Sequence, residues 1–214
     1  MTEIKSSESY RKKAREAANK PATYGEDIDL SEYSSSAEQQ AYMAEPGKLS
    51  SEAKKKMLEA GVELEDISRR SGTYIHMNNT PVHSSIQGEG VEVMPVSKAL
   101  EKHDWLADYW WKATEVDTDK YTASIELSGS DGYFIRTLPG HKTLFPVQTC
   151  LYMEKAKFAQ NVHNIIIAEE GSELDNYIVH VLCKLSLFHI QTGLHRKEGL
   201  MTRQCPDKIS VASA

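Results

Sequence analysis

The chain has 214 residues, of which 40% are hydrophobic and 26% charged, and its formal net charge is −6. This composition is typical of a folded globular protein, and no apolar run approaches the roughly 20 residues of a membrane span. The acidic balance argues against nucleic acid as a partner. The three cysteines, Cys150, Cys183 and Cys205, include no CxxC pair, which excludes a disulfide framework and a zinc site built from cysteine alone. No export signal follows Met1, so the expected location is the cytoplasm.

The first 49 residues are predicted to form a helical and loosely ordered N-terminal arm. Residues 1–20 mix basic residues with Glu and predict a charged helix that ends before Pro21. The Ser-rich, acidic stretch at 21–40 predicts a linker.

A second helix is predicted over LSSEAKKKMLEAG, at the start of a mixed α/β region assigned to residues 50–120. Ser50 or Ser51 suits the N-cap, and Gly61 can supply a left-handed C-terminal cap. The helix is expected to pack through a narrow apolar stripe. Three side chains form that stripe: Ala53, Met57 and Leu58.

The rest of this region is predicted as short strands in GTYIHMNN and SSIQGEGVEVMPV, followed by a helix in SKALEKHDWLADYWWK. All three tryptophans, Trp105, Trp110 and Trp111, lie on this last segment. Aromatic side chains at helical spacing favour a packing role over a ligand site.

From residue 121 the pattern predicts strands only, in YTASIEL, GYFIRTL, KTLFPVQTCLYM and QNVHNIIIA, with short turns between them. Two architectures fit this spacing: an antiparallel sandwich or jelly roll, and a β-helix of stacked coils. Periodicity alone does not choose between them. The run Ile165-Ile166-Ile167 is apolar on both faces, which predicts a strand that is covered on both sides.

Three places carry side chains that could do chemistry. His163 shares a strand face with Ile165, where a cupin metal site would need a second histidine, so a structural histidine is favoured over a metal ligand. Cys150 has no basic neighbour to lower its pKa and is interpreted as a small buried hydrophobe. Glu169 and Glu170 adjoin Gly171 and are interpreted as a solvated turn rather than an acid–base pair. With no GxxxxGK[ST] motif either, nothing in the spacing indicates an enzyme.

Several segments in one order resemble a known family. WLADYWWKATEVDTDKYTA (105–123), DGYFIRTLPG (131–140), PVQTCLYM (146–153) and AQNVHNIIIAEEGSEL (159–174) are similar to the SufB/SufD family, the scaffold proteins of SUF iron–sulfur cluster assembly. GVEVMPVSKAL and SGTYIHMNN also resemble it, so the similarity covers residues 50–174.

The resemblance implies N-terminal helices leading into a right-handed parallel β-helix, whose core would start at residues 121–174. It also implies a SufC-type ABC ATPase as partner, a second SufB/SufD protomer, and a transient iron–sulfur cluster assembled on the scaffold. In such a fold the Ile165–Ile167 run would supply rungs of an interior ladder.

The similarity ends at the tail, residues 175–214, which shows no clear strand rhythm. The family would continue into a turn cysteine where this chain has His180, so the family's cluster and ATPase-docking residues have no counterpart here. This pattern suggests a C-terminally truncated member, with a frameshift near residue 175 as the hypothesis. Four tail residues could form an accidental metal set whose spacing matches no standard site: Cys183, His189, His195 and Cys205.

The sequence therefore predicts a non-enzymatic scaffold subunit of the SUF system. The alternatives are a cupin-like or jelly-roll domain that binds a ligand or metal, and an interaction module that pairs with a full-length SufB/SufD protomer through a β-helix edge. An uncapped last coil would expose backbone groups and apolar rungs, which predicts self-association of the isolated chain.

Overall fold

The computed structural model describes residues 8–36 and 38–181, together with the backbone of 182, 187–196, 203–204 and 208–211. The helices are α1 (Glu8–Ala17), α2 (Ser51–Glu59), α3 (Val96–Lys102) and α4 (Lys120–Ser128), and short 3-10 helices lie at Leu30–Glu32, Pro46–Lys48 and Asp104–Tyr109. The strands are β1 (Gly72–Met77), β2 (Thr80–Ile86), β3 (Val91–Pro95), β4 (Tyr133–Thr137), β5 (Val147–Tyr152), β6 (Ala159–Ala168), β7 (Asp175–Leu182), β8 (Leu187–Arg196), β9 (Arg203–Gln204) and β10 (Lys208–Val211).

The predicted second helix is present as α2, with the predicted ends. The Ser50 hydroxyl accepts a hydrogen bond from the Ala53 N–H, so it caps an otherwise unsatisfied donor. Gly61 follows the helix in the left-handed region, with φ of 88°. Ala53 and Met57 are buried, but Leu58 is 58% exposed, so the predicted stripe is narrower than expected.

The segment YTASIEL, predicted as a strand, is helical and forms most of α4. The prediction is wrong because local capping outweighs β propensity here. The Asp119 carboxylate accepts from the N–H groups of Tyr121 and Thr122, and the Thr122 hydroxyl accepts in return from the Asp119 N–H. Gly129 then ends the helix with φ of 61°.

The predicted single helix over SKALEKHDWLADYWWK is also divided. It forms α3 and then the 3-10 helix Asp104–Tyr109, and the two are separated at His103, whose backbone is extended with φ of −130°.

The strands form two sheets. The first has the order β10-β7-β5-β1-β2, with β9 also paired to β7, and the second has the order β3-β4-β6-β8. From β4 to β8, successive strands alternate between the sheets, and neighbours within each sheet run parallel. Antiparallel pairing is confined, among the described strands, to β1 with β2 and β3 with β4. An antiparallel sandwich or jelly roll would instead pair neighbouring strands in opposite directions.

Strand pairing continues beyond residue 174, where the sequence showed no clear rhythm. Strand β7 aligns with β5 from Val147 opposite Asn176 to Tyr152 opposite Val181. Strand β8 pairs with β6 along all ten residues of each strand. Strands β7 and β8 therefore pair in the tail although its sequence shows no clear rhythm, and the frameshift hypothesis stays a prediction.

Apolar side chains fill three layers. One cluster lies between the sheets and includes Tyr74, Ile135 and Ile166. A second lies between the first sheet and α2. The third lies between the second sheet and the helices α1, α3 and α4, and it contains Ile165 and Ile167. The prediction that β6 is covered on both faces is thus confirmed, because its alternate side chains enter different layers.

Candidate functional site

His163 lies on the helix-covered face of the second sheet and is buried. Its ring stacks on Trp110 with ring centroids 4.0 Å apart and meets Trp111 edge-on at 4.4 Å. The imidazole is therefore packed against two indole rings inside the protein. This placement supports the interpretation of His163 as a structural residue.

A buried carboxylate that sequence reasoning missed holds the tryptophans in place. The indole N–H groups of Trp110 and Trp111 both donate to Glu126 Oε2, at 3.3 and 2.6 Å. Burying an indole is favourable when its single N–H finds an acceptor. The packing role predicted for the tryptophans is supported by these contacts. Glu126 lies on α4, in the segment predicted as a strand, so its side-chain direction was not foreseeable.

Cys150 is fully buried on the face of the first sheet that packs against α2. Burial raises the pKa of its thiol to about 12. The thiolate is the nucleophilic and metal-binding form of cysteine, so Cys150 behaves as the small hydrophobe that the sequence predicted.

The turn after β6 is not simply solvated. Glu170 is exposed, but Glu169 is buried and its Oε1 accepts from Arg136 Nε at 2.9 Å. The interpretation of both glutamates as a solvated turn is therefore wrong for Glu169. Its partner lies on β4, brought alongside by the parallel pairing of β4 with β6.

Arg136 extends this contact into a network across the second sheet. Its Nη1 donates to Glu92 Oε2 at 3.2 Å, and its guanidinium lies 4.9 Å from the centre of the Trp105 ring. Glu92 also accepts from Lys102, at the end of α3, and contacts His103 Nε2 at 3.2 Å. Burial raises the pKa of Glu92, but the hydrogen bonds with Lys102 and Arg136 outweigh it, so the net shift is downward.

These contacts define what the network can do. The cations beside Glu92 lower its pKa, whereas a general acid needs a raised pKa, and Glu169 is engaged by Arg136. The network joins α3, β3, β4 and the turn after β6, so its evident role is to fix the helix layer onto the sheet.

Another acidic side chain, Asp131, lines a cavity of about 550 Å³. Burial raises its pKa, although its oxygens accept from Ser97 N (3.1 Å), Ser97 Oγ (2.5 Å) and Gly132 N (2.8 Å). Because Ser97 lies in the first turn of α3, Asp131 satisfies donors that this turn leaves free. Its position therefore has a structural explanation.

Within the described residues, no three His, Cys, Asp or Glu side chains cluster in a way that could hold a metal ion. The side chains of the predicted accidental set, Cys183, His189, His195 and Cys205, lie outside the described residues. No helix in the described part of the chain is long and apolar enough to cross a membrane.

The fold and the contacts together define a protein of two sheets whose strands pair mainly in parallel, with conspicuous titratable residues engaged in packing and helix attachment. Comparison with known proteins indicates which family the chain resembles. A scan against protein-family models found no match. Curated relatives, however, match over most of the chain.

A protein of Methanothermobacter thermautotrophicus (strain Delta H) is 40% identical over 168 residues, which cover 76% of this chain and 41% of that protein. A homologue from strain Winter is 39% identical over the same length. A protein of Archaeoglobus fulgidus is 48% identical over 122 residues, covering 57% of this chain and 32% of that protein. All three are named iron–sulfur cluster assembly SufBD family proteins.

The resemblance to the SufB/SufD family is thereby confirmed, and the chain is a homologue of SufBD family proteins over the matched residues. It spans about two fifths of the length of the Methanothermobacter relatives and about one third of that of the Archaeoglobus relative.

Proposed function

We propose that this chain is a scaffold component of iron–sulfur cluster assembly of the SUF type and is not itself an enzyme. The observation that carries the proposal is 40% identity over 168 residues with a protein named for SufBD-type cluster assembly. An iron–sulfur cluster would be the cargo of such a scaffold.

The strand topology supports the same proposal. Strands β4 to β8 pass alternately between two sheets and stack in parallel, which is the arrangement of a β-helix. We infer that these strands are coils of the right-handed β-helix implied by the resemblance. A cupin-like metal domain has less support, because His163 lies against two indole rings.

The proposed partners are a SufC-type ABC ATPase and a second SufB/SufD protomer. Strand β8 suggests where a partner could add. Among the described strands it pairs with β6 alone, and the strand is ten residues long, which suits strand addition by a partner. We propose that β8 takes part in pairing with the second protomer.

Anaerobic co-purification tests the proposal. The tagged chain would be co-expressed with the SufC-type ATPase and with the full-length SufBD family protein of the same cell. We expect a stable complex with one or both. Recovery of the chain without either partner, at concentrations where it is folded, would refute the scaffold proposal.

Two variants sharpen the test. Thr192→Pro removes a backbone donor in the middle of β8, opposite Asn164 of β6, and should reduce recovery of the second protomer. Tyr24→Ala alters a side chain that is 85% exposed in a loop and should leave recovery unchanged. Tryptophan fluorescence would report whether the layer between the helices and the second sheet remains folded in both variants.

A further inference from the structure

Strand β2 is an edge strand, and part of the N-terminal arm lies along its outer edge. Among the described strands, β2 pairs only with β1. An open edge presents unpaired N–H and C=O groups, to which a further strand can add. Residues 39–45, called the covering segment below, form neither helix nor strand and contact this edge through Tyr42 and Met43.

The hydroxyl of Tyr42 makes the contacts that a neighbouring strand would make. Tyr42 Oη accepts from the Ser84 N–H at 3.0 Å and donates to the Ser84 carbonyl oxygen at 3.2 Å. Because its single hydrogen is then used, the 2.8 Å contact with Ser84 Oγ is donated by the serine. One side-chain atom therefore satisfies both backbone groups that Ser84 directs away from β1.

Two further contacts continue along the same edge. The Met43 N–H donates to the Val82 carbonyl oxygen at 2.7 Å, and His83 Nδ1 donates to the Met43 carbonyl oxygen at 3.0 Å. Val82 and Ser84 are two residues apart, which is the repeat of the groups on one edge of an extended strand. The covering segment thus occupies the groups that an added strand would use.

The attachment of the covering segment buries little apolar surface. Tyr42 is 55% exposed, and Met43 is half-buried against the cluster between the first sheet and α2. The cavity of about 550 Å³ that Asp131 lines is bordered by both the covering segment and β2, so the two are not closely packed along their length. A segment held in this way opens at a low free-energy cost.

Without the covering segment, the edge of β2 would be complementary to a copy of itself. The N–H and C=O groups of one residue lie on the same side of an antiparallel strand. In an antiparallel pair of two β2 strands, Val82 of each copy would face Ser84 of the other, around a two-fold axis at His83. Such a pair has the self-complementary geometry of a symmetric dimer interface.

We propose that the covering segment closes the β2 edge against strand addition, and that this edge pairs with β2 of a second copy of the chain when the segment is displaced. The proposal concerns a different strand from β8. It does not depend on the role in cluster assembly.

Hydrogen exchange of the Ser84 amide, followed by NMR, tests the closing contact. Tyr42→Phe removes only the hydroxyl and should speed this exchange about tenfold in dilute protein, because the amide loses its acceptor. Tyr24→Phe makes the same change at a tyrosine that is 85% exposed and should leave the Ser84 amide as it is in the wild type. Equal exchange in the Tyr42→Phe variant and the wild type would refute the role of Tyr42.

A variant with a detached covering segment tests the pairing of two copies. Changing both Tyr42→Gly and Met43→Gly removes the two side chains that anchor the segment, and neither is fully buried, so the chain should still fold. Its Ser84 amide should exchange at least about threefold more slowly at about 1 mM protein than at about 10 μM, because a second copy protects it. The wild type should show the same rate at both concentrations. A rate in the variant that does not depend on concentration would overturn the pairing.

A third substitution assigns the association to β2. Ser84→Pro, added to the double variant, removes an N–H that points away from β1 and therefore leaves the pairing with β1 intact. Sedimentation velocity should show more association for the double variant than for the wild type, and the wild-type level again for the triple variant. Association through the last coil, which the sequence predicts, is common to all three proteins and does not affect the comparison. Undiminished association of the triple variant would overturn the assignment to β2.

Discussion

Gly132 lies at the point where β4 meets β6, and replacing it by alanine should strongly destabilise the protein. A Cβ at this position would lie 2.0 Å from the carbonyl oxygen of His163 and 2.5 Å from its carbonyl carbon. Both are backbone atoms of β6, so no side-chain rotation relieves the contact. Because real Cβ contacts essentially never fall below 3.0 Å, the two strands would have to separate by at least about 1 Å.

Existing hydrogen bonds oppose that separation. The Gly132 carbonyl accepts from Tyr74 Oη at 3.0 Å and from the Val96 N–H at 2.9 Å, and its own N–H donates to Asp131. Overpacking typically lowers the free energy of unfolding by about 1–3 kcal/mol. Because the clash here is with backbone atoms of an anchored strand, we expect Gly132→Ala to lie at the upper end of that range. For a chain of this size, about 3 kcal/mol corresponds to a fall of about 6–12 °C in melting temperature.

Thermal and urea unfolding followed by circular dichroism would measure the effect. Gly47→Ala is the matched control, since a Cβ there meets no atom within 4 Å and its φ is not positive. That change should be neutral or stabilise by up to about 1 kcal/mol. If Gly132→Ala proves as mild as Gly47→Ala, the close approach of β4 to β6 is refuted.

Three further predictions concern titratable groups. The folded-state pKa of Glu92 lies below its unfolded value, so its pairing with Arg136 stabilises the protein at neutral pH and is lost as the pH falls below about 4.5. Urea unfolding should therefore show that the Glu92→Gln variant is less stable than the wild type by about 1–3 kcal/mol at pH 7, and that this difference becomes smaller near pH 3. A difference that stays the same at both pH values would contradict this reasoning. Cys150 has a pKa of about 12, so it should not react with iodoacetamide at about pH 8 in the native protein and should react once the protein is unfolded. Peptide mass spectrometry would measure the labelling, and rapid labelling of the native protein would contradict the prediction. Burial lowers the pKa of His76 to about 3. As the pH drops from 6.5 towards 3, this histidine is protonated in the unfolded chain but not in the folded one, so the stability of the fold decreases. NMR should find this imidazole neutral at about pH 5, and titration near 6.5 would show that it is not buried as described.

Features coded by neighbouring residues were predictable. The cap at Ser50 and the left-handed Gly61 bound α2 as expected, because each acts within one turn of the helix. The same kind of signal is present at Asp119 and Thr122, although the β-branched and aromatic residues of this segment favour a strand. The prediction of a strand in this segment is wrong because the capping residues start a helix there.

Features that depend on distant partners were not predictable. Nothing beside Glu169 reveals that it is buried, because its partner Arg136 lies on another strand. Arg70 and Gln87 show the same limit: they line one cavity only after β1 and β2 pair. Sequence spacing does not report which side chains a sheet brings together.

The sequence by itself determined that β5 and β6 are strands, that β6 is covered on both faces, and that the chain is related to SufBD family proteins, because these rest on local composition and ordered segments. Only the tertiary structure decided that neighbouring strands run parallel, that the sheets continue through β7 and β8, and that buried carboxylates pair with side chains of other segments. Parallel pairing joins residues far apart in sequence through backbone hydrogen bonds that are the same for every side chain. The residues of a strand therefore predict that it forms and pairs, but the partner strand and the direction of pairing depend on the tertiary fold.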